Sequence, residues 1–413
     1  MKKLVIVYSF LLLLLGCQTP GQDGGQTNSP EQMKKPYVVM VSIDGYRYDY
    51  TDRYKPKYLT QLKNTGLSAR GMLSIYPTKT FPNHYSIATG LYAAHHGIVA
   101  NEFYDVERSV RYKISDRAQV ADPIWYKGLP LWNATQEEGM LSASYFWVGT
   151  DAPIGGSHPT YYFAYDQSVP NSSRVKQVLE WLQLPEAKRP HFITLYFSDV
   201  DSAGHSYGPE SDEARDAVLK VDESIGELVE GMKKIKLPIN LIVVSDHGMI
   251  KIGDRVYMSD YMSLDGIRVE GRGPHALIYI EDESRRKTLR ADLEKIPHVK
   301  VRTPSQMPKE YGYSNNKLLG DFILMVDPPY YLEYKKDLAA AMGMRSGGTH
   351  GYDIRDSKEM QAIFYAKGPN IKSVQGIAPF ENINVYPFVL KLLGLPLKAK
   401  IDGSEKVLAP YLK

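Results

Sequence analysis

The chain has 413 residues, a formal net charge of +3 and 43% hydrophobic residues, which suits a globular protein with a large core. The small net charge argues neither for nor against a nucleic-acid partner, and because no basic run stands out, the sequence gives no indication of one. Cys17 is the only cysteine, so a disulfide within one chain is excluded. Length alone favours one large domain, or one domain with an inserted lobe.

Residues 1–17 are predicted to be a targeting segment. The basic pair Lys2-Lys3 precedes an apolar run, Leu4–Leu15, that is too short to span a bilayer. The run leads into Leu14-Leu15-Gly16-Cys17, which resembles the bacterial lipobox. This resemblance implies that Cys17 is lipidated and becomes the mature N-terminus, so the protein would be anchored to a membrane by one end. An ordinary secretory signal with an incidental cysteine is the alternative.

The next segment, Gln18–Lys35, is rich in Gly, Gln, Pro and Ser and is predicted to be a flexible tether. Gln18 stands where an Asp would resemble an inner-membrane retention signal. The expected location is therefore the cell envelope, at the outer membrane and facing the periplasm or the exterior. The sequence does not indicate an oligomeric state.

From residue 36 onwards, apolar runs of strand length alternate with segments of helical periodicity. The predicted strands are Tyr37–Ile43, Ser142–Trp147, Phe192–Phe197, Leu241–Val244 and Gln361–Ala366. The predicted helices are Pro56–Asn64, Thr80–Gly90, Trp132–Glu138, Ser172–Leu184, Glu210–Lys233 and Ile383–Leu393. This alternation predicts an α/β fold with a mostly parallel central sheet and helices on both faces.

A different pattern covers residues of about 255–340. Three short strand candidates flank a charged helix near Glu283–Ile296; the strands are Ala276–Ile280, Val299–Val301 and Phe322–Val326. We expect a small inserted α+β lobe here, within one catalytic domain that spans residues 36–413.

The stretch PTKTFPNH, residues 77–84, places a hydroxyl at the start of a helix. Thr80 is a preferred N-cap residue, Pro82 is favoured in the first turn, and Gly90 ends the periodic run. The N-terminus of a helix favours an anion such as phosphate. Thr80 is therefore either a simple cap or a nucleophile. Lys79 is expected to point away from Thr80, at the surface or behind the site.

Metal-ligand residue types are concentrated in four short segments. They are Asp44 in SIDG, Asp201 and His205 in DSAGH, Asp246 and His247 in SDHG, and His350 in GTHG. Sets of carboxylate and imidazole suit Zn²⁺ and similar metals. Three of the segments follow predicted strands, and parallel sheets carry their sites at the carboxyl ends of the strands. Each segment alone would also fit a turn or a helix cap.

The strings PTKTFPNHYSIATGLY, DSAGHSYGP, SDHGM and THGYD together resemble the nucleotide pyrophosphatase/phosphodiesterase family of the alkaline phosphatase superfamily. The resemblance runs from about Tyr37 to near the C-terminus and implies an alkaline phosphatase-like fold with two zinc ions. It implies one zinc on Asp44, Thr80, Asp246 and His247, and the other on Asp201, His205 and His350. Val200, where the family usually has Pro, is a departure that removes no side-chain chemistry.

The same resemblance implies four substrate contacts. Asn101 matches a position whose side chain donates to the phosphoryl oxygen, and Phe81 and Tyr207 match positions that sandwich a nucleobase. Trp147 falls in a segment that lines the pocket in the family, although Val148 replaces a usual Pro. The alternatives from the residues alone are an ordinary turn for Asn101 and a core position for Trp147.

The expected reaction follows from the chemistry of Thr80. Metal coordination would lower the pKa of its hydroxyl, and a second metal would hold the leaving oxygen and then the water that releases a phospho-Thr80 intermediate. The predicted function is the hydrolysis of phosphodiester or pyrophosphate bonds in nucleotides or nucleotide-like diesters, which releases nucleoside 5′-monophosphates.

Three alternatives remain. A monoester dianion would need extra cations near the phosphoryl oxygens. Where related monoesterases are expected to carry them, between Lys127 and Arg174, this chain has no Lys or Arg, which disfavours an alkaline phosphatase-type monoesterase. A lipid head-group diesterase acting on choline phosphates stays open. A non-catalytic binding lipoprotein is disfavoured, because the set of candidate residues is complete.

Overall fold

The structure is a computed structural model that describes residues 21–22, 25–336 and 347–413. The predicted signal peptide with Cys17, part of the predicted tether, and the end of the predicted lobe at residues 337–340 lie outside the described residues. No helix within the described ranges is long and apolar enough to cross a membrane.

The strands and helices are numbered in chain order. The strands are β1 Gly21–Gln22, β2 Tyr37–Ile43, β3 Leu67–Ser68, β4 Met72–Leu73, β5 Glu102–Asp105, β6 Val110–Lys113, β7 Ser142–Tyr145, β8 Tyr161–Phe163, β9 Phe192–Phe197, β10 Ile239–Val244, β11 Ile250–Lys251, β12 Arg255–Tyr257, β13 Ile267–Glu270, β14 His275–Ile280, β15 Val299–Arg302, β16 Phe322–Val326, β17 Tyr331–Glu333, β18 Gly348–Thr349, β19 Phe364–Lys367 and β20 Phe380–Glu381. The α-helices are α1 Tyr50–Tyr54, α2 Lys57–Thr65, α3 Thr80–Thr89, α4 Ala93–His96, α5 Arg117–Val120, α6 Leu131–Glu137, α7 Asn171–Leu182, α8 Asp199–Tyr207, α9 Asp212–Ile235, α10 Leu289–Leu293, α11 Val385–Leu393 and α12 Glu405–Leu408.

The central sheet has the strand order β1-β8-β7-β9-β2-β10-β19-β3. The five strands from β8 to β10 run parallel, with β2 between β9 and β10. Strands β1, β19 and β3 pair antiparallel at the two edges. The predicted mostly parallel α/β sheet is thus confirmed, and the strand predicted at Gln361–Ala366 is an antiparallel one that begins at Phe364.

Both faces of this sheet are buried, as the unbroken apolar run of β2 requires. Val38 and Met40 point into one core, which also contains apolar residues of α3 and α11. Val39 and Val41 point into a second core, formed with α7 and α9. Helices therefore cover both faces, and the carboxyl ends of the strands are left for the site.

The predicted lobe contains a separate four-stranded antiparallel sheet with the order β13-β14-β16-β15. One of its faces packs on α10, through Leu289 and Leu293. Its other face, with Leu277 and Ile323, joins the core of the main domain. The predicted helix Glu283–Ile296 is wrong in length, because the first part is a 3₁₀ segment, Glu283–Lys287, and only α10 is α-helical.

Part of the predicted tether is packed against the domain. Asn28 is buried, accepts a hydrogen bond from the Leu141 amide at 2.8 Å and donates to the Arg189 carbonyl at 2.7 Å. Gln32 is also buried and donates to the Glu138 carbonyl at 2.9 Å. From Asn28 onwards the chain is therefore held in place by specific hydrogen bonds.

Candidate active site

Thr80 is the first residue of α3, and its hydroxyl does not cap the helix. The N-cap position belongs to Lys79, whose side chain forms no capping hydrogen bond. The prediction of a Thr80 cap is therefore off by one residue. Thr80 Oγ1 instead lies 3.2 Å from Nε2 of His247, so the hydroxyl faces the ligand-type residues at the carboxyl edge of the sheet.

The loop before α3 is fixed by side chains that bond its backbone. Asn83 accepts from the Ile75 amide at 2.8 Å and donates to the carbonyls of Pro77 and Lys79 at 3.0 and 2.8 Å. The Thr78 hydroxyl donates to the Tyr352 carbonyl at 2.8 Å. These bonds hold the start of the helix against the segment that carries His350.

A first group of ligand-type side chains surrounds Thr80. Asp44 follows β2, and Asp246 and His247 follow β10. Nε2 of His247 lies 2.9 Å from Oδ2 of Asp246 and 3.6 Å from Oδ1 of Asp44. All three side chains are at most 1% exposed, so this group is almost completely removed from bulk water.

The second group lies on α8 and on the segment after β18. Asp201 and His205 are one turn apart on α8, with Oδ1 of Asp201 3.4 Å from Nε2 of His205 and 3.7 Å from Nε2 of His350. The two imidazole Nε2 atoms are 3.1 Å apart. Asp201, His205 and His350 thus offer three ligand atoms within 4.8 Å of one another, and Asp201 forms another such group with Asp44 and His247.

The donor atoms of these groups suit metal ions. Within the described part of the chain, Asp44 Oδ1, Asp201 Oδ1 and Asp246 Oδ2 are buried oxygens without a hydrogen bond of standard geometry. A buried carboxylate oxygen without a partner is costly unless a cation meets it. The residues present therefore fit a divalent metal.

The imidazole rings are also oriented as metal ligands. Nδ1 of His247 donates to the Gly248 carbonyl, Nδ1 of His205 to the Gly348 carbonyl, and Nδ1 of His350 to the Thr78 carbonyl, at 2.8, 2.9 and 2.8 Å. A backbone acceptor at Nδ1 fixes the tautomer and leaves the Nε2 lone pair for a metal.

A glycine allows the two groups to approach each other. Gly45 has a φ of +68°, and a Cβ placed on it would lie 2.9 Å from Cα of Asp201. Its amide donates to Oδ1 of Asp246 at 3.1 Å. Any larger residue would push α8 away from β2, because Cβ atoms do not tolerate such a contact.

In the absence of metal, burial and the neighbouring charged side chains shift the pKa values of the candidate ligands. Burial raises the pKa of Asp44 well above its ordinary value, and the neighbouring Asp246 and Asp201 raise it further. Burial would lower the pKa of His247, but Asp246 and then Asp44 reverse this and raise it to about 9. Burial and the nearby His247 hold the pKa of His350 far below its ordinary value, so its imidazole is neutral and able to bind a metal.

Asn101 is placed beside Thr80 by a contact with the same helix. The Phe81 amide, at the open N-terminus of α3, donates to Oδ1 of Asn101 at 3.1 Å. With Oδ1 engaged, Nδ2 is the group that can donate to a phosphoryl oxygen bound at Thr80.

Two cavities border this site, and Ile114 lines both of them. The first, about 250 Å³, is lined by Thr80, Asp44 and Asp201 together with aromatic side chains; these are Phe81, Phe146, Trp147, Tyr165 and Tyr196. The second, about 630 Å³, is lined by Asn101, His205, Tyr207 and Lys79 among others. We call them the aromatic cavity and the basic cavity.

The structure does not bring Phe81 and Tyr207 together. Phe81 lines the aromatic cavity, whereas Tyr207, at the end of α8 and 52% exposed, lines the basic cavity. Tyr165 shares the aromatic cavity with Phe81. Trp147 combines its two predicted roles, because it lines that cavity but is only 5% exposed and donates its indole N–H to the His84 carbonyl at 3.1 Å.

The sequence led us to expect that the side chain of Lys79 points away from Thr80, and this expectation is wrong. It lines the basic cavity together with Asn101 and His205. Burial lowers its pKa to about 8, against the opposing effect of Glu102 and Asp201. The expectation was based on the geometry of a helix start, but the backbone at Lys79 is extended rather than helical, which changes the direction of the side chain.

Sequence reasoning also missed residues that support the ligands. His84 donates from Nδ1 to the Thr80 carbonyl at 2.9 Å, receives a hydrogen bond at Nε2 from Ser42 at 2.8 Å, and lies 3.3 Å from Asp246. The Tyr196 hydroxyl donates to Oδ2 of Asp44 at 2.5 Å. His84 sits one helical turn after Thr80, and that spacing was a signal that could have found it.

The chain belongs to the type I phosphodiesterase/nucleotide pyrophosphatase family, whose family model matches residues 38–353. Among curated relatives it is 37% identical over 406 residues to the venom phosphodiesterase CdcPDE of Crotalus durissus collilineatus, a match that covers 95% of this chain and 48% of the relative. It is also 37% identical over 405 residues to the rat ectonucleotide pyrophosphatase/phosphodiesterase family member 3, covering 93% and 45%. The chain thus spans about half the length of the curated relatives it matches.

Solved structures of the same class match the fold. Mouse ectonucleotide pyrophosphatase/phosphodiesterase 5 has a TM-score of 0.85 at 27% identity, over 91% of this chain and 100% of that one. An inactive threonine-to-alanine variant of the mouse protein, solved in complex with AMP, also has a TM-score of 0.85. The alkaline phosphatase-like architecture expected from the sequence is confirmed.

Proposed function

We propose that this protein is a metal-dependent hydrolase that cleaves phosphodiester or pyrophosphate bonds in nucleotides and releases nucleoside 5′-monophosphates. The observation that carries the proposal is the contact between Thr80 and the buried Asp/His groups. A hydroxyl at the N-terminus of α3 lies 3.2 Å from His247 and lines the aromatic cavity, and the adjacent Lys79 lines the basic cavity. A diester has one arm for each cavity, with the phosphorus between them.

Two zinc ions fit the donor atoms at this site. Asp44, Thr80, Asp246 and His247 would hold one, and Asp201, His205 and His350 would hold the other. Bound zinc would lower the pKa of the Thr80 hydroxyl and neutralise charge on the phosphoryl group. The buried Oδ1 atoms of Asp44 and Asp201, which lack a hydrogen bond within the described residues, and the short distance of 2.9 Å between Oδ2 of Asp246 and Nε2 of His247 support this assignment.

Thr80, Asn101 and His84 each have a separate role in the proposed reaction. Thr80 Oγ1 attacks phosphorus, the bond from phosphorus to the leaving oxygen breaks, and the nucleotide is held as an ester on Thr80. Nδ2 of Asn101 donates to a phosphoryl oxygen, a contact of the kind that contributes about 3–4 kcal/mol to comparable oxyanion sites. Water next replaces Thr80 at phosphorus and frees the nucleoside monophosphate. His84 positions Thr80 by bonding its carbonyl throughout.

The nucleoside arm is assigned to the aromatic cavity. Phe81 and Tyr165 offer ring faces on which a base can stack. Such stacking does not depend on which base is bound, because every base has a π-face. The relative solved with AMP supports a nucleotide as the ligand. A choline head group would need acidic residues around the aromatic rings. Asp151 lines this cavity, but its carboxylate is paired with Arg117, which disfavours that alternative.

The lipidation of Cys17 is part of the proposal. The apolar run and the lipobox-like end of residues 1–17 support an anchored lipoprotein of the cell envelope, with the outer membrane as the expected location. The catalytic domain would then act on nucleotides outside the cytoplasm.

A paired rate comparison tests the function. Protein lacking residues 1–17 and loaded with zinc would be assayed with a p-nitrophenyl ester of a nucleoside 5′-monophosphate and with p-nitrophenyl phosphate. We expect kcat/KM to be far higher for the diester. A preference for the monoester would make the protein a phosphatase, and a protein that cleaves neither and holds no zinc would be the non-catalytic lipoprotein.

A further inference from the structure

Basic residues are concentrated at the edge of the central sheet that lies opposite the candidate active site. The parallel strands β2, β9 and β10 begin at this edge in register, so the segments that precede them are neighbours. Each segment carries exposed or half-buried cations; these are Lys34 and Lys35 before β2, Lys188 and Arg189 before β9, and Lys234 and Lys236 before β10. We call these six residues the amino-end face.

Hydrogen bonds hold the three segments in place. The Tyr37 amide donates to the Pro238 carbonyl at 3.4 Å, and the Arg189 guanidinium donates to the Tyr37 hydroxyl at 3.1 Å. The Asn28 amide donates to the Ala187 carbonyl at 2.8 Å. The fold therefore keeps these cations together on one surface.

Most of the positive charge of this face is not balanced by nearby carboxylates. Lys35 lies 4.0 Å from Glu31, whereas the other five cations form no ion pair with a carboxylate of the described residues. Glu31 and Glu186 are the acidic residues within the three segments, 31–36, 186–191 and 234–238. Six cations against two carboxylates leave a local excess that is larger than the net charge of +3 for the whole chain. Such a surface attracts an anionic partner.

The face also exposes apolar groups between its cations. A hollow of about 600 Å³ lies between the ends of α7 and α9, where Leu179, Ile235 and Leu237 line it together with Arg189 and Lys234. Apolar groups next to cations match the surface of a bilayer, where anionic head groups meet acyl chains. A nucleic acid would offer phosphates to the cations but no acyl chain to the hollow.

The N-terminal segment leads to the same edge of the sheet. Strand β1 pairs with the first two residues of β8, and β8 lies two strands away from β9. Cys17 precedes Gly21, the first residue of β1, by four residues, which span at most about 14 Å when extended. A lipid on Cys17 would therefore bring a bilayer within reach of the amino-end face.

We propose that the amino-end face rests on the anionic phospholipid surface of the membrane in which Cys17 is anchored. Thr80 and the candidate metal ligands, at the opposite edge of the sheet, then face away from the bilayer and towards nucleotides in solution. The face alone binds weakly and reversibly, so the lipid on Cys17 remains the anchor that retains the protein. The inference goes beyond the proposed hydrolysis. It uses the proposed lipidation to place the bilayer, but the face can be tested without Cys17.

Vesicle sedimentation tests the face on protein that lacks residues 1–17. We expect binding to vesicles of phosphatidylcholine mixed with phosphatidylglycerol, little binding to phosphatidylcholine alone, and release by high salt, which screens exposed charges. The combined variant Lys34→Ala, Lys234→Ala and Lys236→Ala should lower the affinity for the anionic vesicles about 100-fold, since each lysine near an anionic surface contributes a factor of about five.

The matched control replaces three other exposed lysines by alanine, namely Lys251, Lys287 and Lys309. They also form no ion pair within the described ranges, and they belong to segments that follow the carboxyl end of β10. This variant has the same net charge as the first but should bind the vesicles within about threefold of wild type, because distant charges are screened. An equal loss of binding in both variants overturns the inference.

Hydrolysis of the soluble nucleotide ester shows whether each variant is folded, and both should keep the wild-type rate. A wild-type protein that binds vesicles but cleaves no ester would overturn the proposed function and leave this inference in place. Failure of the wild-type protein to bind anionic vesicles, or binding to single-stranded DNA in their place, overturns the inference.

A labelled cysteine gives a second measurement that does not depend on the triple variant. Protein without residues 1–17 has no cysteine, so Lys234→Cys and Lys287→Cys can each carry one environment-sensitive fluorophore. Anionic vesicles should shift the emission of the label at position 234 to shorter wavelength and leave the label at position 287 unchanged. An equal shift at both positions, or a shift at position 287 alone, overturns the proposed orientation.

Discussion

The imidazole rings of His247 and His350 are stacked, with their centroids 3.5 Å apart and their planes 15° apart. They belong to different proposed zinc sites, so the stack brings the two sites side by side. Without metal, it holds a neutral His350 against a His247 whose pKa is raised by Asp246 and Asp44 over the opposing effect of burial. Such a buried group of charges is expected to depend on bound cations for its stability.

Metal removal should therefore cost both activity and stability. We expect exhaustive chelation to lower kcat on the p-nitrophenyl nucleotide ester at least about 100-fold, since metals contribute several kcal/mol to charge stabilisation in such transition states. The melting temperature should fall as well, because a ligand that binds only the folded state stabilises it. Zinc should restore both, at two equivalents per chain by elemental analysis. Full activity after chelation would rule out the two-metal scheme.

Replacement of the nucleophile should separate catalysis from metal binding. Thr80→Ala should reduce kcat below about one thousandth of wild type, as loss of a covalent nucleophile does in other hydrolases. Zinc content should stay near wild type, because all six Asp and His ligands remain. Thr80→Ser is the matched control, since it keeps a hydroxyl at the same helix position and should retain measurable turnover. A Thr80→Ala protein with substantial activity would contradict the assignment.

The lining of the aromatic cavity predicts that Tyr165 binds the base together with Phe81, whereas the sequence predicted Tyr207. Phe81→Ala and Tyr165→Ala should each raise KM for the nucleotide ester by about 5- to 100-fold, the range for loss of one base-stacking ring. Tyr207→Ala should change it by less than about threefold, because Tyr207 lines the basic cavity. Steady-state kinetics on the three variants measure this. A larger effect at Tyr207 than at Tyr165 would favour the original pairing of Phe81 with Tyr207.

The sequence predicted the parts of this site that lie within short segments. Asp44, Asp246 and His247 directly follow apolar strands, and the carboxyl ends of parallel strands meet at one edge whatever the loops do. Asp201 was expected at the end of a strand, yet α8 begins at Asp199. The i,i+4 spacing of Asp201 and His205 already pointed to a helix, since it places both side chains on one face.

Contacts between distant segments could not be found in the same way. Tyr165 follows β8, and Arg272, which lines the basic cavity, lies in the lobe. No sequence pattern around either residue predicts that it lies near the site of Thr80. Which aromatic residue faces Phe81 depends on how β8 and α8 are arranged around the cavity, and therefore on long-range packing. The same holds for Lys79, whose direction is decided by the extended backbone before α3.

The N-terminal prediction can be tested in cells. Cys17→Ser should remove the lipidation site and move the protein from the membrane fraction to the soluble fraction, because one lipidated end is the expected anchor. The rates on the nucleotide ester should be unchanged, since the substitution lies outside the catalytic domain. Fractionation followed by immunoblotting measures the shift, and a variant that stays with the membrane would contradict the lipoprotein assignment.

Stability should depend on pH through a partly exposed pair, His95 and Asp402, that belongs to neither group of candidate metal ligands. Nδ1 of His95 lies 2.7 Å from Oδ2 of Asp402. The hydrogen bond to Asp402 raises the pKa of His95. Burial would raise the pKa of Asp402, but the bond from His95 lowers it below its ordinary value. Because the pKa of His95 is raised in the folded state, His95 contributes its full stabilisation below about pH 6.5, and this stabilisation is lost as the pH rises through the folded pKa. Because the pKa of Asp402 is lowered, Asp402 contributes its stabilisation above about pH 4, and this stabilisation is lost as the pH falls through the folded pKa.

The two effects overlap between about pH 4 and 6.5, which is where the charged pair contributes most. His95→Gln should therefore lower the free energy of unfolding by about 0.5–1 kcal/mol at pH 5, the range for a partly exposed ion pair, and by less at pH 8.5. Urea denaturation of wild type and variant at both pH values measures the difference, in which any effect of pH on the metal sites cancels. Asp402→Asn should show the same loss of pH dependence. A destabilisation of equal size at pH 5 and 8.5 would mean that packing, rather than charge, accounts for the contribution of His95.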